Sequence, residues 1–396
     1  MGVAMITMAL ADRLRHVEAS PTLALAAKAK ALAKAGKPIA DFTAGEPDFP
    51  TPEHIKHAGI RAIQSDQTRY TPVPGIPELR EAIASTVNAT RRSSYKSNQV
   101  IVTCGTKHAL YNIFQALCQP GDEVIVLSPY WVSFPPLVEL SGAKPVIVET
   151  SEADGFLPNP DTLQRALTST TKAIIVNSPN NPTGAVLDRP RLEAIARIAL
   201  DRELVIVSDE IYDQLVYAPS VHSSIIAVAP EIADRTIVVG GVSKTYSMTG
   251  WRIGFAVGPQ PWVEGMINVQ SHSTSNPTSI SQYAALAALT GDQQPVTDMR
   301  EEFRKRRDRL VEGLNRLAPL QALLPGGAFY AWCNVSGIGQ SANDTAAQWL
   351  EQALVAVVPG ERFGAPGFVR LSFATSLATI EEGLRRIETW LRQRRP

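Results

Sequence analysis

From residue 99 onward the chain alternates short, β-rich apolar runs with longer amphipathic stretches. The runs fall at 100–103, 123–127, 145–149, 173–177 and 204–208, and amphipathic segments at 106–117, 131–140 and 189–199 separate them. Strand and helix in alternation predict an α/β fold, with a mostly parallel central sheet and helices on both faces. Ligands gather at the carboxyl ends of the strands in such sheets, so residues that directly follow each run are the candidates for chemistry. Further helices are expected at 261–269, 279–289 and 296–317, the last bridging to a smaller α+β domain. That domain takes a turn and strand at 325–332, a helix at 344–354, a strand at 367–374 and a final helix at 377–393. Ser20-Pro21, with Gly36 at the far end, frames an N-terminal helix that joins it. The expected boundaries are 50–291 for the large domain and 14–49 with 292–396 for the small one, after a loose extension at 1–13.

Composition removes several function classes. The 396 residues carry 38 Lys plus Arg against 38 Asp plus Glu, which argues against nucleic acid as a partner. Cys104, Cys118 and Cys333 are scattered, with no C-x-x-C pair, as expected of a reducing, cytoplasmic setting. Residues 1–10 are apolar but lack a basic start and are short for a membrane span, so no membrane association is expected. His54 and His57 lie three apart on a helix with no third ligand nearby, which reads as a solvated face rather than a metal site. The mixed charges of 300–309 read the same way.

Gly240-Gly241-Val242-Ser243-Lys244-Thr245-Tyr246-Ser247-Met248-Thr249-Gly250-Trp251-Arg252 lies between apolar runs at 237–239 and 253–257. A lysine held there is a shielded amine able to form a Schiff base with an aldehyde. Ser243 and Arg252 are residue types that hold phosphate, and an amine beside a phosphate site suggests pyridoxal phosphate. A nucleotide-binding P-loop would need glycine where Ser243 stands. Cys104-Gly105-Thr106-Lys107 follows the 100–103 run and opens a helix, so its backbone N–H groups form an anion cradle. Trp131 follows the 123–127 run, where an indole could lie on a pyridine ring. The run at 204–208 leads into Asp209-Glu210, and a buried carboxylate would keep a pyridine nitrogen protonated; spacing alone does not choose between the two. In Phe368-Val369-Arg370-Leu371-Ser372-Phe373, alternation turns Arg370 away from the apolar face, and its planar fork suits a carboxylate.

Ser243-Lys244-x-x-x-Met248-Thr249-Gly250-Trp251-Arg252-x-Gly254 is similar to the cofactor-lysine motif of the class I pyridoxal-phosphate aminotransferases, in the branch that includes bacterial aspartate aminotransferases. The resemblance runs from about residue 15 to the C-terminus and implies their fold type I. It implies that Lys244 binds the cofactor and shuttles the proton, that Asp209 faces the ring nitrogen, and that Asn181 and Tyr212 meet the phenolic oxygen. Ser243, Arg252 and the amides of Gly105, Thr106 and Lys107 would hold phosphate, with Trp131 on the ring. The Gly45-Glu46-Pro47-Asp48-Phe49 segment resembles a strand across the site mouth, its Gly45 backbone meeting the substrate carboxylate that Arg370 binds. Tyr70 matches a tyrosine that reaches the neighbouring subunit's phosphate in a homodimer. His108 departs from the family's usual glutamine.

The reaction so implied is amino transfer between an amino acid and a 2-oxo acid, with aspartate or glutamate the first choice. Prephenate, aromatic or small neutral substrates stay open, because no cation is identifiable for a second carboxylate. A pyridoxal-phosphate lyase on the same scaffold, an idle ligand-binding module and a P-loop hydrolase are the alternatives; ammonia release, absent turnover and nucleotide binding would mark each.

Overall fold

The computed structural model describes residues 31–394 throughout and, before them, Ala11, Leu14, Ala27 and Ala29. The extension expected at 1–13, Ala11 apart, and most of the expected N-terminal helix lie outside the described residues. Residues 31–34 are helical and Gly36 takes a positive φ of 82°, a helix ending that glycine tolerates without strain.

In chain order the strands are β1 (Ala40–Asp41), β2 (Val100–Thr103), β3 (Glu123–Ser128), β4 (Lys144–Glu149), β5 (Thr171–Asn177), β6 (Val205–Asp209), β7 (Thr236–Gly241), β8 (Gly254–Val257), β9 (Gln321–Ala322), β10 (Tyr330–Asn334), β11 (Val355–Ala356), β12 (Val358–Pro359) and β13 (Phe368–Ser372). Seven of them form one sheet in the order β2-β8-β7-β6-β5-β3-β4. β8 is antiparallel to both its neighbours, and the other pairings are parallel. Two reversals restore the original direction, so β2, β3, β5, β6 and β7 all end on the same edge.

The apolar runs of β2, β3, β5, β6 and β7 are buried on both faces, as in a sheet covered by helices on each side, whereas β4 at the edge leaves Ile147 exposed. Val124, Val126, Ile175, Val207 and Val239 turn to one side, against the helices Thr106–Leu117 and Gln260–Ser271. Their neighbours Ile125, Ile174, Ile206 and Val238 turn to the other, against the helix Arg189–Asp201. Asp188 caps that helix by accepting from the Arg191 amide, with a proline in its first turn. The smaller antiparallel sheet runs β12-β13-β10-β9, and its Val369, Leu371 and Phe373 pack with residues of the helices Gln294–Asn315 and Leu377–Gln393.

Several local expectations are corrected. Residues 42–50 are irregular, as their glycine and proline content dictates, so the segment resembles the family's strand only in crossing the site mouth; its backbone serves Arg370 and Lys244. The helix expected from 131 starts at Phe134, and the one expected at 344–354 is an α-helix over Ala342–Gln348 followed by a π-turn at Trp349–Ala353. Arg306 and Arg307 are buried instead of solvated. Arg306 pairs with Asp48 and Glu302 and lies on Phe49, while Arg307 lies on Tyr217 and donates to the Pro325 carbonyl. His54 is half-buried against Gly291, whereas His57 is exposed. Among the described residues no group of three or more His, Cys, Asp or Glu could hold a metal, and no helix is long and apolar enough to cross a membrane.

Candidate active site

A cavity of about 260 Å³ opens at the carboxyl edge of the large sheet, against β10 and β13 of the small one. Five of the strands that end on this edge deliver side chains. Thr106 and Lys107 follow β2, Trp131 follows β3, Asn181 follows β5, Asp209 closes β6, and Ser243 and Lys244 follow β7. Arg252 stands just before β8, and Gly45 and Arg370 complete the lining.

The lysine loop is closed at its base by the pairing of Gly241 with Gly254. It is also tied across the chain, because Trp251 Nε1 donates to Thr51 Oγ1 (3.1 Å) and that hydroxyl donates to the Ser247 carbonyl (2.7 Å). Lys244 Nζ therefore sits inside the cavity and donates to the Gly45 carbonyl at 2.5 Å. Burial lowers its pKa to about 8, helped by the positive charges of Arg370 and Arg252 and opposed by Glu46 and Asp209. Burial also raises the Asp209 carboxyl to about 7, with Glu210 adding to the rise while the Ile211 amide and Lys244 act against it. Amine and carboxyl thus share one enclosed space and feel each other's charge.

Alternation along the chain sends Glu210 the other way. It accepts from Arg91 Nε (2.7 Å), Ser208 Oγ (2.9 Å) and Ser224 Oγ (2.6 Å), and Arg91 also reaches Asp213 at 2.8 Å. Although burial opposes it, Arg91, His222 (Nε2 at 3.4 Å) and the Ser224 hydroxyl hold Glu210 well below the usual carboxylate range. The choice that spacing left open is resolved: Asp209 faces the cavity and Glu210 is committed to an ion pair behind it.

On the β2 side, Gly105 caps the helix Thr106–Leu117 at φ 86°, and a Cβ placed there would come 2.2 Å from Arg252 Nη2. Gly105 does not line the cavity, and its amide donates to the Thr103 carbonyl (2.7 Å) rather than standing free for phosphate as expected; its lack of a side chain lets the guanidinium lie against the helix start. Arg252 donates to the Thr249 and Cys104 carbonyls (2.9 and 3.1 Å) and has no carboxylate partner among the described residues. Together with Ser243 and the first amides of the helix, whose N–H groups have no intrahelical acceptor, it forms a concave donor set that fits a phosphate. His108 accepts from the Cys104 amide through Nδ1 (3.2 Å), outside this cradle.

Arg370 is 3% exposed and pairs with no carboxylate among the described residues. It donates to Asn181 Oδ1 (3.0 Å) and the Thr43 carbonyl (3.1 Å), while its buried Nε has no partner. Its guanidinium lies 4.3 Å from the centre of the Tyr330 ring. With Asn181 Oδ1 occupied by Arg370, the amide nitrogen is the end left to donate. Tyr212 is buried, and its hydroxyl meets that of Tyr330 at 2.9 Å.

Of the residues singled out from sequence, Tyr70 alone is remote: it is 92% exposed and does not line this chain's cavity. Sequence reasoning missed Tyr330, Thr43 and the side chain of Lys107, whose Nζ lies 5.0 Å above the Trp131 ring. A signal for Tyr330 was its place on β10 beside β13, where Trp332 pairs with Arg370 and Tyr330 with Ser372. Thr43 acts through its backbone and leaves no trace in side-chain chemistry.

Residues 37–387 match the family described as aminotransferase class I and II. The chain is 45% identical over 392 residues to an aspartate aminotransferase of Geobacillus stearothermophilus, covering 98% of this chain and 100% of that one. It is 48% identical over 380 residues to an aspartate/prephenate aminotransferase of Thermus thermophilus, covering 95% and 97%. Among solved structures, aspartate aminotransferase from Thermus thermophilus with maleate superposes with a TM-score of 0.93 at 46% identity, over 96% of this chain and 99% of that chain.

Proposed function

Starting from the fact that this chain belongs to the class I and II aminotransferases, we propose that it uses pyridoxal phosphate bound at Lys244 to move an amino group between aspartate or glutamate and a 2-oxo acid. The observation that carries this reading is the convergence in one cavity of a shielded amine, a buried carboxyl and an arginine with no carboxylate partner among the described residues. When bound, the cofactor supplies an aldehyde that condenses with amines and a pyridine ring that withdraws electrons from the substrate α-carbon.

The chain's own residues do the rest. Ser243, Arg252 and the amides at the start of the helix Thr106–Leu117 hold the phosphate, and Trp131 covers the ring. Asp209 keeps the proton on the ring nitrogen. Burial that raises this carboxyl to about 7 also strengthens its pull on a cationic ring nitrogen, a charge that would return Asp209 to its anionic form. Asn181 and Tyr212 donate to the phenolic oxygen. Arg370 takes the substrate α-carboxylate through its fork, with the Gly45 and Thr43 backbone beside it. Lys244, lowered to about 8, exists partly as a neutral amine near neutral pH and can take the proton of the substrate α-carbon. Four basic side chains against one carboxylate line the cavity, which favours anionic substrates. Lys107 supplies a cation for a second carboxylate, and this supports aspartate or glutamate over neutral amino acids; the name of the Thermus relative keeps prephenate as the second reading.

In this reading residues 50–291 are the cofactor domain, and 292–396 with 14–49 the substrate-side domain. The enzyme is a cytoplasmic homodimer in which Tyr70 completes the partner's phosphate site; its exposure outside its own cavity supports that reach, and three free thiols support a reducing compartment. Purified Lys244→Ala should lose covalent cofactor and turnover together, and a retained turnover would reject the assignment. Half-reaction rates across an amino-acid panel, with ammonia and pyruvate assayed alongside, separate the substrates and the lyase alternative.

A further inference from the structure

We propose that Tyr330 is a positioning residue for this reaction: its hydroxyl donates to Tyr212 Oη and so commits the Tyr212 proton to the cavity, toward the phenolic oxygen of the cofactor. The inference rests on the functional reading above and adds a residue that acts through Tyr212. The two hydroxyls lie 2.9 Å apart, both side chains are buried, and neither hydroxyl has another hydrogen-bond partner among the described residues. Each phenol carries one proton, and burial raises both pKa values, so the pair stays neutral. One proton closes the bond between them. The other must point outward, and which phenol owns it decides where the cavity presents a donor.

Arg370 sets the polarity. Its guanidinium is 4.3 Å from the centre of the Tyr330 ring; its charge favours ionisation of both phenols, and it couples to Tyr330 more strongly than to Tyr212. Tyr330 is thereby the stronger acid of the two, and the stronger acid donates. Tyr212 accepts and keeps its own proton free for the cavity. The geometry is held firmly: Tyr330 is paired to Ser372 in the sheet, and its ring meets that of Tyr212 edge-on, centres 5.9 Å apart at 82°. A hydroxyl that receives a hydrogen bond is also a better donor, since the chain of bonds polarises in one direction.

Tyr330→Phe removes the donor and keeps the ring. Tyr212 then donates more weakly to the phenolic oxygen, which holds its neighbouring proton more tightly. The visible absorbance of bound pyridoxal phosphate should titrate at a pH higher by a few tenths to about one unit. Tyr212→Phe should shift the midpoint the same way and further, and adding Tyr330→Phe to it should produce no additional shift. A packing role would lower the melting temperature without moving the midpoint. An unchanged midpoint in Tyr330→Phe, or an equal shift in the Tyr212→Phe background, overturns the proposal. Tyr330→Met serves as a second hydroxyl-free variant; loss of cofactor binding by both, in folded protein, also overturns it, because a residue acting through Tyr212 leaves the phosphate cradle intact. Unmodified enzyme that shows no titrating absorbance with pyridoxal phosphate refutes the functional reading itself, and this inference with it.

Discussion

Replacing Arg370 by lysine keeps a positive charge and removes the planar fork, which makes it a sharp test of how substrate is held. Arg370 is 3% exposed, and burial lowers its pKa, so its charge sits there at a cost that an incoming carboxylate offsets. Two of its nitrogens are engaged by neutral oxygens of Asn181 and Thr43, and Nε has no partner. A lysine offers a single ammonium where the fork offered two parallel bonds. Losing one charge-assisted hydrogen bond costs about 1.5–3 kcal/mol, or roughly 10- to 150-fold in kcat/KM. Asn181 and Thr43 also lose a donor in the variant, and that disturbance would slow any substrate. The control is therefore an amine without an α-carboxylate, followed beside its parent amino acid in single-turnover half-reactions read from the cofactor absorbance. The preference for the amino acid over the amine should fall by the same ~10- to 150-fold. If both rates drop while their ratio stays within about twofold, Arg370 is structural and the reasoning fails.

Two further outcomes follow from the cofactor side. Because burial brings Lys244 to about 8, the neutral amine is reached at lower pH than for an ordinary lysine; uptake of pyridoxal phosphate by cofactor-free protein should rise with pH to a midpoint near 8, and a midpoint above ~10 would contradict its shielding. In Gly105→Ala the new Cβ would meet Arg252 Nη2 at 2.2 Å, at a φ of 86° that alanine resists; the guanidinium must swing away, so the Kd for pyridoxal phosphate should rise by about tenfold or more, measured by absorbance titration.

The strand ends were readable because a run of apolar residues followed by Gly105-Thr106-Lys107, by the turn residues around Asn181 (Asn181-Pro182-Thr183-Gly184) or by Asp209-Glu210 announces both the strand and the turn that ends it. The face of Arg370 was readable from the period of two along β13. The roles of Asp209 and Glu210 were not, since the answer depends on Arg91 arriving from 119 residues away and on Ser224 and His222 folding back from the loop beyond. Tyr330 was missed for the same reason: its meaning lies in a cross-chain hydroxyl, with Tyr212 on one side and Arg370 on the other. Arg306 and Arg307 show the converse error. Helical spacing of mixed charges reads as a wet surface unless Asp48, Phe49 and Tyr217 are known to cover it.

The order in which the cavity's walls occur along the chain has a bearing on synthesis. By the time Arg252 leaves the ribosome, all the residues of this chain proposed to grip the phosphate have been translated. Arg370 comes near the end and must reach back to Thr43, 327 residues earlier. On the proposed reading, a nascent chain can thus assemble the half that would bind the vitamin well before it can recognise an amino acid, and cofactor arriving during translation would meet a growing core that cannot yet turn over.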